Sequence, residues 1–123
     1  MKRKPKKKSP SELEGLFARQ IKTAGLPRPR REYKFLPDRR FKFDFAWIRL
    51  RVAVEIEGGL GRPRSGHRSY AGVMRDIEKG RLALLAGWKM LRFTGRDVRD
   101  GLAIQTTDNL LRSLLVTKNG SYS

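Results

Sequence analysis

Phe41-Lys42-Phe43-Asp44-Phe45-Ala46-Trp47-Ile48 and, after three intervening residues, Val52-Ala53-Val54-Glu55-Ile56-Glu57 decide how this chain folds. Both stretches are rich in aromatic and β-branched residues and read as neighbouring β-strands. In an antiparallel hairpin with Asp44 facing Glu55, Trp47 faces Val52 and Ile48 faces Arg51. Arg49-Leu50 is then a two-residue loop. These are poor residues for the primed hairpin turns, so a longer loop or a shifted register stays open. Side chains two apart on a strand share a face. Glu55 and Glu57 therefore point the same way, a paired Asp44 joins them, and Ile56 turns to the opposite face to pack on a helix.

Carboxylates are depleted in strands and cost free energy when buried without a partner. Three oxygen donors converging on one side suit Mg²⁺ or Mn²⁺. A solvent-facing row on a half-exposed strand accounts for the same alternation. An E-x-E pair alone does not choose between the two.

Working outward, Ser11 with Glu14 reads as a capping box, followed by Leu13, Leu16, Phe17, Ile21 and Ala24 at helical spacing. Gly25 and Pro27 end that segment. Arg28 to Arg31 reads as a basic loop and Tyr33 to Leu36 as a short strand, with Pro37-Asp38 turning the chain. Gly58 to Gly66 is a loop rich in glycine and arginine. A helix is expected over 70–86, with Val73, Ile77, Leu84 and Leu85 on its apolar side and Gly87 as C-cap. Trp88 to Phe93 reads as a strand and Gly101 to Thr117 as a last helix. The order α-β-β-β-α-β-α predicts an α+β or α/β layered domain. Its expected limits are 11–118, with a disordered basic arm over 1–10 and a tail over 119–123.

The chain has 123 residues, 29 basic and 12 acidic, a net charge of +17. Such an excess predicts a polyanionic partner. The run Lys2 to Lys8 adds salt-sensitive, sequence-independent affinity for nucleic acid. No cysteine is present, which removes disulfides and cysteine-based zinc sites and agrees with a reducing cytoplasm. No apolar run reaches the length of a membrane span, and no membrane partner is expected.

Asp44-Phe45-Ala46, then Val54-Glu55-Ile56-Glu57-Gly58-Gly59, then Gly87-Trp88-Lys89-Met90-Leu91-Arg92-Phe93 occur in order. Together they resemble the PD-(D/E)XK nuclease superfamily, and within it the small bacterial and phage domains related to very-short-patch-repair endonucleases. The match spans about Ser11 to Val98. The resemblance implies a restriction-endonuclease-like αβββαβ core, a central mixed sheet flanked by helices. It implies a metal-dependent DNA endonuclease that hydrolyses phosphodiester bonds with a metal-activated water, in a bacterial cytoplasm or in the host's if phage-encoded. Nicking of mismatched duplex, resolution of branched DNA and general duplex cutting all stay open. Asp44 and Glu55 match its two metal-binding acids. Glu57 stands where many members carry lysine and is expected to bind metal or position water. Glu14 matches the acid of the first helix, a role that competes with the capping box. His67, the sole histidine, matches one that follows the Gly-Gly and is a candidate for contact with the scissile phosphate.

Arg62, Arg64 and Arg68 flank the expected site and suit contacts to a DNA backbone. Arg75 and Lys79, on the next helix, suit phosphate, or else form a solvated face with Asp76 and Glu78 as partners. Trp47 and Trp88 are expected in the core. Leu110, Leu111, Leu114 and Leu115 of the last helix would pack on the sheet or bury a homodimer interface. The competing function is a non-catalytic, basic DNA-binding or architectural protein that never cuts; a small RNA-binding protein is a third reading.

Overall fold

The computed structural model describes residues 10–58 and 69–118. Residues 1–9 of the expected basic arm, Arg62, Arg64, His67, Arg68 and the tail from residue 119 lie outside the described residues, while Pro10 belongs to the first helix.

The first apolar helical repeat forms α1 (Pro10–Thr23). Its Leu13, Phe17 and Ile21 are buried on one face. α1 begins at Pro10, so Ser11 lies inside the helix and not at the position ahead of it that a capping box requires. Gly25 ends the helix at φ +70°, where the Leu26 N–H donates to the Ile21 carbonyl at 3.2 Å. A side chain at that φ would strain the backbone.

Four strands follow: β1 (Arg30–Lys34), β2 (Lys42–Trp47), β3 (Val52–Glu57) and β4 (Lys89–Thr94). They form one mixed sheet in the order β1-β2-β3-β4, antiparallel except for the parallel β3–β4 pair. The hairpin register is the expected one, with Trp47 opposite Val52. The connection is longer than two residues. A 3₁₀ turn (Ile48–Leu50) and a left-handed Arg51, φ 56°, carry the chain round. Arginine and leucine do not suit a tight primed turn, and the wider turn resolves that conflict. β1 begins at Arg30 rather than at Tyr33, because the basic segment pairs with β2: Arg30 lies opposite Ala46 and Lys34 opposite Lys42.

α2 (Tyr70–Leu85) connects β3 to β4; Ser69 caps its start through the Gly72 N–H at 3.0 Å. Gly87, φ +86°, ends it as expected, with Trp88 N–H donating back to the Ala83 carbonyl at 2.9 Å. A five-residue helix, α3 (Gly95–Arg99), is unforeseen. Its signal is a capping box between Thr94 and Asp97. α4 (Leu102–Lys118) closes the described chain.

Two cores sandwich the sheet. One holds α1, α3 and α4 against Phe45, Trp47, Val52, Val54 and Ile56. Phe17 and Phe45 meet edge to face at 5.1 Å. Each fully buried side chain of this size stabilises by about 1.5–3 kcal/mol. Leu111 is buried here, and Leu110 and Leu114 pack beside it, so these leucines serve the chain's own core. The other core holds Phe35, Phe43, Ala46, Ala53, Ala83 and Trp88. Phe35 and Phe43 stack at 4.2 Å. Both tryptophans are buried, as expected.

α2 departs most from expectation. Val73, Ile77, Leu84 and Leu85 are exposed, and Ala83 is the helix's buried residue. The helix is turned so that Asp76, Lys79 and Ala83 face inward. Asp76 meets Arg92 of β4, Glu78 meets Arg39, and Lys79 meets Glu55 of β3. Charge pairing with the sheet, together with the packing of Leu82 and Ala83, sets its rotation.

Candidate metal and nucleic-acid site

Backbone pairing of β2 with β3 runs from Trp47↔Val52 to Phe45↔Val54. One step further, two carboxylates take over. The Asp44 N–H donates to Glu55 Oε2 at 3.1 Å, and the Ile56 N–H donates to Asp44 Oδ2 at 2.8 Å. Each acid thus accepts a bond from the other strand's backbone, and hydrogen bonds of this kind to a charged acceptor are strong.

Both strands of the β1–β2 pair break their alternation at this point. Phe43 and Phe45 are two apart yet belong to opposite cores. In a regular strand they would share a face. The neighbouring strand carries the matching irregularity. Glu32, between the pairs Arg31↔Phe45 and Tyr33↔Phe43, has φ 51°. A left-handed glutamate is uncommon, and such residues concentrate at functional sites.

The break brings Glu32 and Asp44 to Glu14 on α1. One oxygen from each of these three acids lies within 4.8 Å of the others. Among the described residues no other three acids come together so closely. Glu32 was not foreseen. Its signal is a single acid inside the basic run Arg28-Pro29-Arg30-Arg31-Glu32-Tyr33-Lys34, visible as a partner of Asp44 only once the β1–β2 register is known.

The expected grouping of Asp44 with Glu55 and Glu57 is only half assembled. Asp44 and Glu55 interlock as described. Glu57 is drawn away to Arg92, whose Nη2 donates to it at 2.7 Å and to Asp76 at 2.9 Å. The reason is the switch of face at Asp44, which regular alternation does not anticipate. Glu55 is itself held, 2.5 Å from Lys79 Nζ. Lys79 also donates to the Lys42 carbonyl and lies over the Phe43 ring. Lys79 is therefore an internal cation of the site and no part of a solvated helix face. Arg75, one turn earlier, is exposed on the flank nearest to it.

Charge is strained in this cluster. Burial pushes the Asp44 carboxyl above the usual range; the Ile56 N–H bond opposes this and Glu32 adds to it. Burial also raises Glu55, against the pull of Lys79. Glu14 is raised by burial and then by Asp44 and Glu32, while Arg31 opposes at 3.4 Å. Oxygen donors of like charge, held close and partly dry, suit a hard divalent cation, which relieves their repulsion.

No described helix is long and apolar enough to cross a membrane. No protein family, no curated protein and no solved structure matches the chain.

Proposed function

We propose that this protein is a metal-dependent DNA endonuclease with a restriction-endonuclease-like core of the PD-(D/E)XK kind. The observation that carries the reading is the interlocked Asp44–Glu55 pair at the fork of β2 and β3, with Glu14 and Glu32 closing on Asp44. The chain's +17 charge supplies the attraction for a phosphate backbone.

Glu14, Glu32 and Asp44 would hold Mg²⁺ or Mn²⁺, with Glu55 as the adjoining acid. A cation there supplies an acidified water and stabilises charge on the reacting phosphate. The protein's own part is positional. The Ile56 and Asp44 N–H groups fix the two carboxylates, and Lys79 keeps one cation beside Glu55 at a place where Glu57 provides none. Arg75, exposed on α2, and Arg31, beside Glu14, would meet flanking phosphates.

One observation favours the alternative, a basic DNA-binding protein that does not cut. Glu55 and Glu57 are each neutralised by a basic side chain, as structural acids would be. Supercoiled plasmid incubated with Mg²⁺, Mn²⁺ or EDTA separates the two. Asp44→Asn keeps an acceptor for the Ile56 N–H. Nicking that needs metal and disappears in this variant, with DNA binding retained, is the expected result. Cutting by a folded Asp44→Asn protein, or binding without cutting in either metal, would overturn the nuclease reading.

A further inference from the structure

Two hollows line the sheet edge beside the acid cluster. The nearer, about 460 Å³, opens between the second half of α1 and β1. Lys22, Arg28 and Arg31 rim it, and Ala18, Leu26 and Pro29 give it an apolar wall. Arg31 also pairs with Glu14, so this hollow begins one side chain away from the acids. The second, about 410 Å³, continues from it, since Arg28 lines both. Arg28, Arg30 and Arg49 rim the second, over Pro27, Leu50 and Leu115. Among the described residues no acid lines either hollow.

We propose that these hollows bind successive unpaired nucleotides of a DNA strand leading away from the acid cluster. The inference rests on the nuclease reading and narrows its substrate to duplex DNA with an unpaired flank, such as a flap, splayed end or branch point. The argument is one of surface chemistry. An intact duplex keeps its bases stacked inside and offers the protein mainly phosphate rails. Exposed cations alone meet that need. Hollows with apolar walls between arginines do more: the rim holds phosphates while the wall covers bases and sugars that have left the stack. Each hollow exceeds the roughly 300 Å³ at which small-ligand pockets begin, enough for a base and its sugar. Chain continuity requires adjacent sites for adjacent nucleotides, and the shared Arg28 provides that adjacency. Two proline faces, Pro27 and Pro29, add rigid apolar surface that loses no side-chain freedom on binding.

The test is fluorescence anisotropy in EDTA, where no cutting occurs, using a labelled blunt duplex, the same duplex with a tail of about a dozen unpaired nucleotides, and the tail alone as DNA and as RNA. The tailed duplex is expected to bind at least about tenfold tighter than the blunt one. Arg28→Ser with Arg49→Ser should weaken the tailed probe more than the blunt one. Leu115→Gln, at a half-buried position, should lower the tail preference at least about threefold while leaving blunt-duplex affinity unchanged. Circular dichroism checks that each variant folds. Equal binding of tailed and blunt duplex, or variants that weaken both by one factor, would overturn the proposal. A tail bound tighter as RNA would overturn its assignment to DNA. Because binding is read without metal, a tail preference that persists in a protein unable to cut would refute the nuclease alone.

Discussion

Replacing Lys79 by Met removes the ammonium, including its place over the Phe43 ring, and keeps an unbranched side chain of similar length. The ion pair it breaks is almost closed to water, with side-chain exposures of 12% for Lys79 and 9% for Glu55. Breaking a buried pair costs about 3–5 kcal/mol, because the remaining charge stays behind without its partner. Two features reduce that figure here. Glu55 still accepts the Asp44 N–H. Its carboxyl, already raised by burial, can also take up a proton rather than remain charged. The expected loss is about 2–3 kcal/mol. Urea unfolding at about pH 7, above the ordinary carboxylate range, measures it through tryptophan fluorescence. Trp47 and Trp88 are both buried, one in each core, so the signal samples both. Adding Glu55→Gln to the Lys79→Met protein removes the stranded charge and keeps an acceptor for Asp44. The double variant should regain at least half of the loss, a coupling that only interacting groups give. The reasoning fails if Lys79→Met lies within about 0.5 kcal/mol of the parent, the range of an ordinary surface change. It fails equally if the double variant is no more stable than the single one.

Three further outcomes are expected. Glu32→Gln should weaken Mn²⁺ binding at least about tenfold by calorimetry, and unchanged affinity would remove Glu32 from the site. The carboxyls of Asp44, Glu55 and Glu14 are raised in the folded protein, so each contributes stability that is full below the ordinary carboxylate range and is lost as pH rises through its folded value. The urea midpoint of the parent relative to Asp44→Asn should therefore fall as pH rises through and above the ordinary carboxylate range in EDTA, and Mn²⁺ should restore it; a flat difference would contradict the charge strain. Ile77→Gln should change stability by less than about 0.5 kcal/mol, since that side chain is half exposed. A loss above about 2 kcal/mol would mean that α2 buries its apolar face after all.

The order of elements and the hairpin register were legible because each rests on strong local signals. Alternation and aromatic content marked β2 and β3, and Gly87 marked the end of α2. Ile56 packs with Val52 and Val54 on the helix side, as its parity required. Asp44 and Glu55 stood out because carboxylates are rare in strands, and Glu14 through the resemblance alone; the structure gathers all three near the fork. Glu32 was missed because periodicity assumes an unbroken strand, and a left-handed glutamate leaves no mark in a single sequence. Lys79 and the rotation of α2 were missed for another reason. The helical repeat of Val73, Ile77 and Leu84 predicts which side is apolar, and the pull of Glu55 and Arg92 on Lys79 and Asp76 lies outside that periodicity. Local spacing cannot weigh a contact made with a strand many residues away.

The left-handed turn at Glu32 has a second consequence, for solubility. β1 is an outer strand of the sheet, and an outer strand with free backbone groups is a template on which another chain can add. Adding a strand needs a straight run of donors and acceptors. Glu32 interrupts that run in the middle of five residues, and Arg30, Arg31 and Lys34 surround the break with like charge. The same distortion that turns a carboxylate toward Asp44 therefore makes this edge a poor seed for aggregation. Straightening it, for instance with a β-branched residue at position 32, would restore the edge as a template and take the carboxylate from Asp44 at once, leaving only the like charge of Arg30, Arg31 and Lys34 as protection.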